Sequence, residues 1–115
     1  MNIQELATLR RGGVPLKIVL LDNSSLGLVR QWQELFFEEN YSEIDLSDNP
    51  DFVKVAEDFG VEAFRIDRRD QVEAGLARLL AAEGACLAHV VIDPKENVWP
   101  LVPPGKSNAE MMEGA

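Results

Sequence analysis

The sequence has one cysteine, Cys86, so no disulfide can close within the chain, and a reducing compartment fits that usage. Basic residues are scarce. Eleven Lys and Arg against twenty Asp and Glu leave a formal net charge of −9. Phosphate backbones and anionic membrane surfaces are bound by clustered Lys and Arg, so this balance argues against nucleic acid and membrane partners; solubility is the reading it favours. No long hydrophobic run is present either. The longest lies within Val14–Leu21 and is interrupted by Pro15 and Lys17, too short to span a bilayer. The opening residues lack a basic region followed by an apolar one, so no signal peptide is read and the cytoplasm is the expected location. There are no internal repeats or low-complexity segments.

What remains is an ordinary globular composition, 46% hydrophobic and 27% charged over 115 residues, enough for one domain or part of one. Ile3, Leu6, Ala7 and Leu9 share one helical stripe, which predicts a helix over Met1–Arg11 ended by Gly12 and Gly13. It begins without a capping residue or entry turn, which suggests further sequence upstream. Leu16–Leu21 is apolar but for Lys17 and does not alternate, the pattern of a strand buried on both faces of a parallel sheet. The turn-formers Asp22-Asn23-Ser24-Ser25 follow, then a helix over Leu26–Glu38 with Leu28, Trp32, Leu35 and Phe36 on its inward face. Glu39–Asp51 reads as a polar loop.

A third helix is expected from Asn49 or Pro50 to Gly60, with Phe52, Val53, Ala56 and Phe59 inward. Ala63–Ile66 is a short strand. Asp67 is the expected cap of a helix over Arg68–Ala82, with Val72, Leu76, Leu79 and Leu80 inward and Gly84 beyond its end. Cys86–Ile92 is a last strand, and the residues from Asp93, rich in proline, read as irregular. Glu34, Glu38 and Glu39 read as a solvated helix face. His89 alternates within its strand and has no partner at metal-ligand spacing, so it reads as a satisfied strand histidine; Cys86 reads as a small buried residue. Helices alternating with strands make the fold class α/β, with a mainly parallel sheet flanked by helices.

In open α/β sheets ligands bind beyond the carboxyl ends of the strands. The most polar strand end here is Asp22–Ser25, followed by a helix amino terminus, where free N–H groups and the helix dipole favour an anion. A carboxylate, an amide oxygen and backbone carbonyls together suit a hard cation such as Mg²⁺. Spacing alone leaves an ordinary capped strand–turn–helix as the simpler alternative. It likewise leaves Leu28 and Trp32 as plain helix-face core.

The segments IQELATLRR, PLKIVLLDN, GLVRQWQELFFEE, YSEIDLSDNPDF, AEDFG and ENVWPLVPPGKSN occur in this order at natural spacings. Together they resemble acetolactate synthase (acetohydroxyacid synthase) large subunits, from Met1 to about Met112. The resemblance implies a partial thiamine-diphosphate-binding domain over residues 1–93 with a Pro-rich carboxyl-terminal tail over 94–115, a tail able to fold over the active-site entrance. It implies thiamine diphosphate and Mg²⁺ as cofactors, with FAD bound elsewhere in the full-length enzyme and not by this segment.

In that family the cofactor motif opens with Gly-Asp-Gly and closes in Asn-Asn or Asp-Asn. Only the closing Asp22-Asn23 is present. By resemblance, Asn23 gives a side-chain oxygen and Ser25 a main-chain carbonyl to Mg²⁺, Gly27 and Leu28 lie against the cofactor, and Trp32 lines the substrate channel, where it favours 2-ketobutyrate over pyruvate as second substrate. Leu28 stands where Met is frequent. The implied reaction is decarboxylation of pyruvate and carboligation to a second 2-keto acid in branched-chain amino-acid biosynthesis. The activating glutamate and the Gly-Asp-Gly aspartate are not in this sequence, so no catalytic residue is assigned, and the isolated chain is expected to be inactive and to bind cofactor weakly. Implied partners are the remaining domains of the catalytic subunit, further copies in a homo-oligomer, and a regulatory small subunit. The alternatives are another thiamine-diphosphate enzyme (decarboxylase, oxidase or glyoxylate carboligase) and a truncated, non-catalytic interaction module.

Overall fold

The computed structural model describes residues 2–114; Met1, the expected first residue of the opening helix, and Ala115 lie outside the described residues. The chain divides into two compact units, Met1–Asp22 with Asp48–Ile92, and Asn23–Ser47 with Asp93–Ala115.

The first unit is built on three parallel strands, β1 (Lys17–Asp22), β2 (Glu62–Ile66) and β3 (Cys86–Val91), in the order β1-β3-β2. Val19 pairs with Ala88, and Phe64 pairs with the same Ala88 from the other side. Helices α1 (Glu5–Gly12) and α3 (Phe52–Asp58) cover one face through Leu6, Ala56, Val61, Ala63 and Leu87. Helix α4 (Val72–Ala81) covers part of the other face, where Leu79 packs on Ile66, Cys86 and Ala88. The α/β class with a parallel sheet and flanking helices, expected from the sequence, is what the chain adopts.

Local chemistry explains the element ends. Gly13 takes the left-handed conformation and returns its N–H to Leu9 O, closing α1. Asp51, rather than Asn49 or Pro50, begins α3, because its carboxylate accepts from the N–H groups of Val53 and Lys54. Asp67 does not cap α4. Gln71 Oε1 reaches back to accept from Asp67 N–H at 3.0 Å and Arg68 N–H at 3.2 Å, and a 3₁₀ turn over Arg69–Gln71 leads into the helix. At the other end of α4, Lys17 Nζ donates to the carbonyls of Ala82 and Gly84, a cation on exposed helix-end acceptors.

Two burial expectations fail. β1 is not buried on both faces: Val19 and Leu21 are 49% and 64% exposed, because α4 packs over β2 and β3 and leaves that side of β1 uncovered. In α4 only Leu79 is buried, and Val72, Leu76 and Leu80 are exposed. A single short helix on this face contacts the sheet along one line. Ile3 precedes α1 and is exposed as well.

β3, central in the sheet, is buried over Cys86–His89. His89 is 2% exposed, with Nε2 2.8 Å from Asp22 Oδ2 and its ring edge-on to Phe52. The sequence reading found no partner for this histidine because the carboxylate is 67 positions away and meets it only across the β1–β3 pairing. Among the described residues no helix is long and apolar enough to cross a membrane.

Candidate functional site

The second unit carries every residue singled out as a candidate ligand or channel position. After β1 the chain turns through Asn23–Ser25. Asn23 Oδ1 accepts the Ser25 N–H at 3.2 Å, a local turn held by a side-chain amide. Ser24 sits at φ +50, in the left-handed region that a non-glycine residue enters at a cost. Backbone bonds from Leu26 N–H to Ile44 O and from Leu46 N–H to Ser24 O tie this turn to the 40s loop.

Helix α2 (Gly27–Phe36) begins at once. Unlike α3 it has no side-chain cap, and its first turn carries no acidic residue. An uncapped amino terminus presents N–H groups and the positive end of the helix dipole to an external acceptor. A Cβ at Gly27 would stand 2.5 Å from Asn23 Nδ2, so any side chain there would displace the Asn23 amide. The glycine lets the Asn23 amide lie over the first turn of the helix.

The donor chemistry fits a hard cation in part. Asn23 Oδ1 has a second lone pair beyond the one used by Ser25 N–H, and the Ser25 carbonyl is a further neutral oxygen. Ser25 Oγ is buried without a partner. Among the described residues no group of three or more His, Cys, Asp and Glu could hold a metal ion.

Helix α2 is oriented differently from the expectation. Arg30 and Gln31 are its buried residues, whereas Leu28 is 55% exposed and Phe36 37%. The polar side wins because the tail supplies partners for it. Gln31 Nε2 donates to Val98 O at 2.9 Å, and Gln31 Oε1 accepts Val98 N–H at 3.0 Å. Arg30 donates to Lys95 O and to Asn97 Oδ1, and pairs with Glu34 at 3.1 Å. Asn97 Nδ2 also donates to Glu34, so Glu34 belongs to this network and not to a solvated face. Glu38 and Glu39 lie past the helix end with positive φ.

Trp32 is half-buried, edge-to-face with Phe36, and its Nε1 is buried without a partner. Arg30, Gln31 and Asn97 escaped the sequence reading as structural groups, since nothing local announces a bond spanning more than sixty residues.

The electrostatics outside this turn are modest. The Ser47 N–H bonded to Asp45 holds its carboxyl below the usual range, and burial pushes the Cys86 thiol up. Cys86 is fully buried, which fits a packing role.

Comparison with known proteins places this turn and helix in context. The chain is 61% identical over 98% of its length to the acetolactate synthase isozyme 2 large subunit of Escherichia coli, of which it covers 21%. It is 45% identical over 97% of its length to the acetolactate synthase large subunit of Parasynechococcus marenigrum, and 41% identical over the same share to that of Porphyra purpurea. It covers 18% and 19% of those proteins, so the chain spans about a fifth of the length of the curated relatives it matches. The resemblance to acetolactate synthase large subunits read from the sequence is thereby upheld. Residues 1–90 match the model of the thiamine pyrophosphate enzyme C-terminal TPP binding domain, and the chain belongs to that family.

Proposed function

We propose that this chain is the carboxyl-terminal segment of an acetolactate synthase catalytic subunit, and that its turn 23–25 and helix α2 form one side of a thiamine-diphosphate and Mg²⁺ site. The observation that carries this reading is the uncapped amino terminus of α2 directly behind the Asn23 turn, in a chain 61% identical to such a subunit. Asn23 would give its side-chain oxygen and Ser25 its carbonyl to Mg²⁺, and the first turn of α2, at Gly27 and Leu28, would lie against the cofactor. Bound thiamine diphosphate supplies the electron sink for decarboxylating pyruvate and joining the product to a second 2-keto acid. The protein's share is to orient the cofactor, exclude water and shape the channel, with Trp32 as a wall of it.

Two neutral oxygens are a weak metal site alone. The remaining donors and the activating carboxylate belong to other parts of the catalytic subunit, in the same or a second copy, with a regulatory small subunit as a further partner. Residues 1–93 make up this segment's part of the cofactor domain, and 94–115 its tail. The test is acetolactate formation from pyruvate with thiamine diphosphate and Mg²⁺, comparing the isolated 115-residue chain with an assembled enzyme carrying it as its carboxyl terminus. Turnover by the assembled enzyme and none by the isolated chain is the expected result; an assembled enzyme that makes no acetolactate would overturn the reading.

A further inference from the structure

Trp32 stands between two glutamines that make the same pair of bonds to two different segments later in the chain. Gln31 forks onto the backbone of Val98, accepting its N–H and donating to its carbonyl. Gln33 forks onto the backbone of Ser42 in the same manner, at 3.0 and 3.1 Å. A primary amide matched to one residue's N–H and C=O copies the pairing of adjacent strands, so each fork fixes both the position and the rotation of the segment it grips. Gln31 is 1% exposed, and its amide has no water to fall back on. The Arg30–Glu34–Asn97 network reinforces the first fork from the next turn of the helix. No hydrogen-bond partner fixes Trp32 itself, whose buried Nε1 is unpartnered. Its placement therefore depends on the helix that bears it, and that helix is held by its two neighbours.

We propose that Gln31 and Gln33 are positioning residues for Trp32, and that through them the 95–98 and 42 segments set which second 2-keto acid the channel admits. This rests on the acetolactate synthase reading above. A displacement of the indole by a fraction of an ångström, with the cofactor end of α2 still in place, alters the fit of the second substrate before it alters decarboxylation of the first.

The experiment uses the assembled enzyme carrying this segment, loaded with thiamine diphosphate and Mg²⁺ and given pyruvate and 2-ketobutyrate in competition. Gln31→Met keeps the side chain's length and removes the fork. The expected result is a roughly tenfold change in the product ratio with the decarboxylation rate within about twofold of the parent. In the 115-residue chain, the Trp32 indole N–H resonance shifts in parallel. A merely structural role lowers the yield of both products together and leaves their ratio fixed, which overturns the proposal. Should Gln31→Met fail to assemble, Gln33→Met, whose fork lies at the exposed surface, decides by the same ratio. A parent enzyme that forms neither product refutes the synthase reading and this inference with it. A parent that forms both, with variants that keep its ratio, refutes this inference alone.

Discussion

Substituting Gly27 by alanine separates the metal-binding role proposed for the Asn23 turn from its part in stability. The added methyl would meet Asn23 Nδ2 at 2.5 Å, closer than a Cβ and an amide nitrogen can stand, so the Asn23 side chain must rotate out of its place. Rotation breaks the bond from Ser25 N–H to Asn23 Oδ1, a loss of about 1 kcal/mol. Alanine in a helix recovers up to about 1 kcal/mol relative to glycine. The two changes nearly cancel, so urea unfolding of the 115-residue chain, followed by circular dichroism, is expected to give a stability within about 1 kcal/mol of the parent.

Cofactor binding has no such offset. With the amide oxygen turned away, the Mg²⁺ concentration at half-maximal thiamine diphosphate binding by the assembled enzyme, read by calorimetry, is expected to rise about tenfold, equivalent to about 1.4 kcal/mol. Asn23→Ala should raise it by a similar factor, and the double variant by no more than either alone, because both remove one group. A Gly27→Ala enzyme with an unchanged Mg²⁺ requirement would refute the assignment of Asn23 as a ligand.

Other consequences are confined to the first unit. In Gly75→Ala the new methyl would lie 2.4 Å from Ile66 Cδ1, and Ile66 is only 2% exposed, so overpacking of about 1–3 kcal/mol should outweigh the helix-propensity gain and lower the unfolding midpoint. The carboxyl of Asp51 is held below its ordinary value of 3.8 chiefly by the Lys54 N–H. A depressed value means that the cap's contribution is present above the unfolded value and lost as pH falls through the folded one. Asp51→Ala should therefore be less stable than the parent at neutral pH and show a flatter acid limb in pH-dependent unfolding. Cys86 is buried and its thiol is pushed up by that burial, so a thiol reagent at neutral pH should label it only as fast as the chain unfolds, and direct labelling of the native protein would contradict the packing role.

Much of the architecture was legible in the sequence because it is written in local patterns. Runs such as Leu16–Leu21 and Cys86–Ile92 could be read as strands, and Gly13 and Gly60 as helix stops, since both have the positive φ that glycine tolerates. The sidedness of the helices was not legible. The apolar stripe of α2 predicted Leu28 and Phe36 inside, yet Arg30 and Gln31 are buried because backbone groups at Lys95 and Val98 are there to receive them. The same limit applies to His89, which is paired by Asp22 through strand register alone. Lys17, which merely interrupts an apolar run in the sequence, is a helix-end cation in the fold. The turn at Asn23 could be anticipated, because turn chemistry is local, whereas the close approach of Asn23 to Gly27 is visible only in the fold. The forks beside Trp32 could not, because each glutamine's partner is a main-chain group with no residue-type signature.

The strand order carries a consequence for biosynthesis. β3 is the last of the three strands to leave the ribosome, yet it is the one that both β1 and β2 pair with. The segments that grip Arg30 and Gln31 are made later still. A nascent chain that has already produced β1, α2 and β2 therefore holds two unpaired strand edges and a helix gripped only through Gln33 until the last quarter of this segment emerges, so a translational pause placed before β3 would expose those edges to any helper able to shield them.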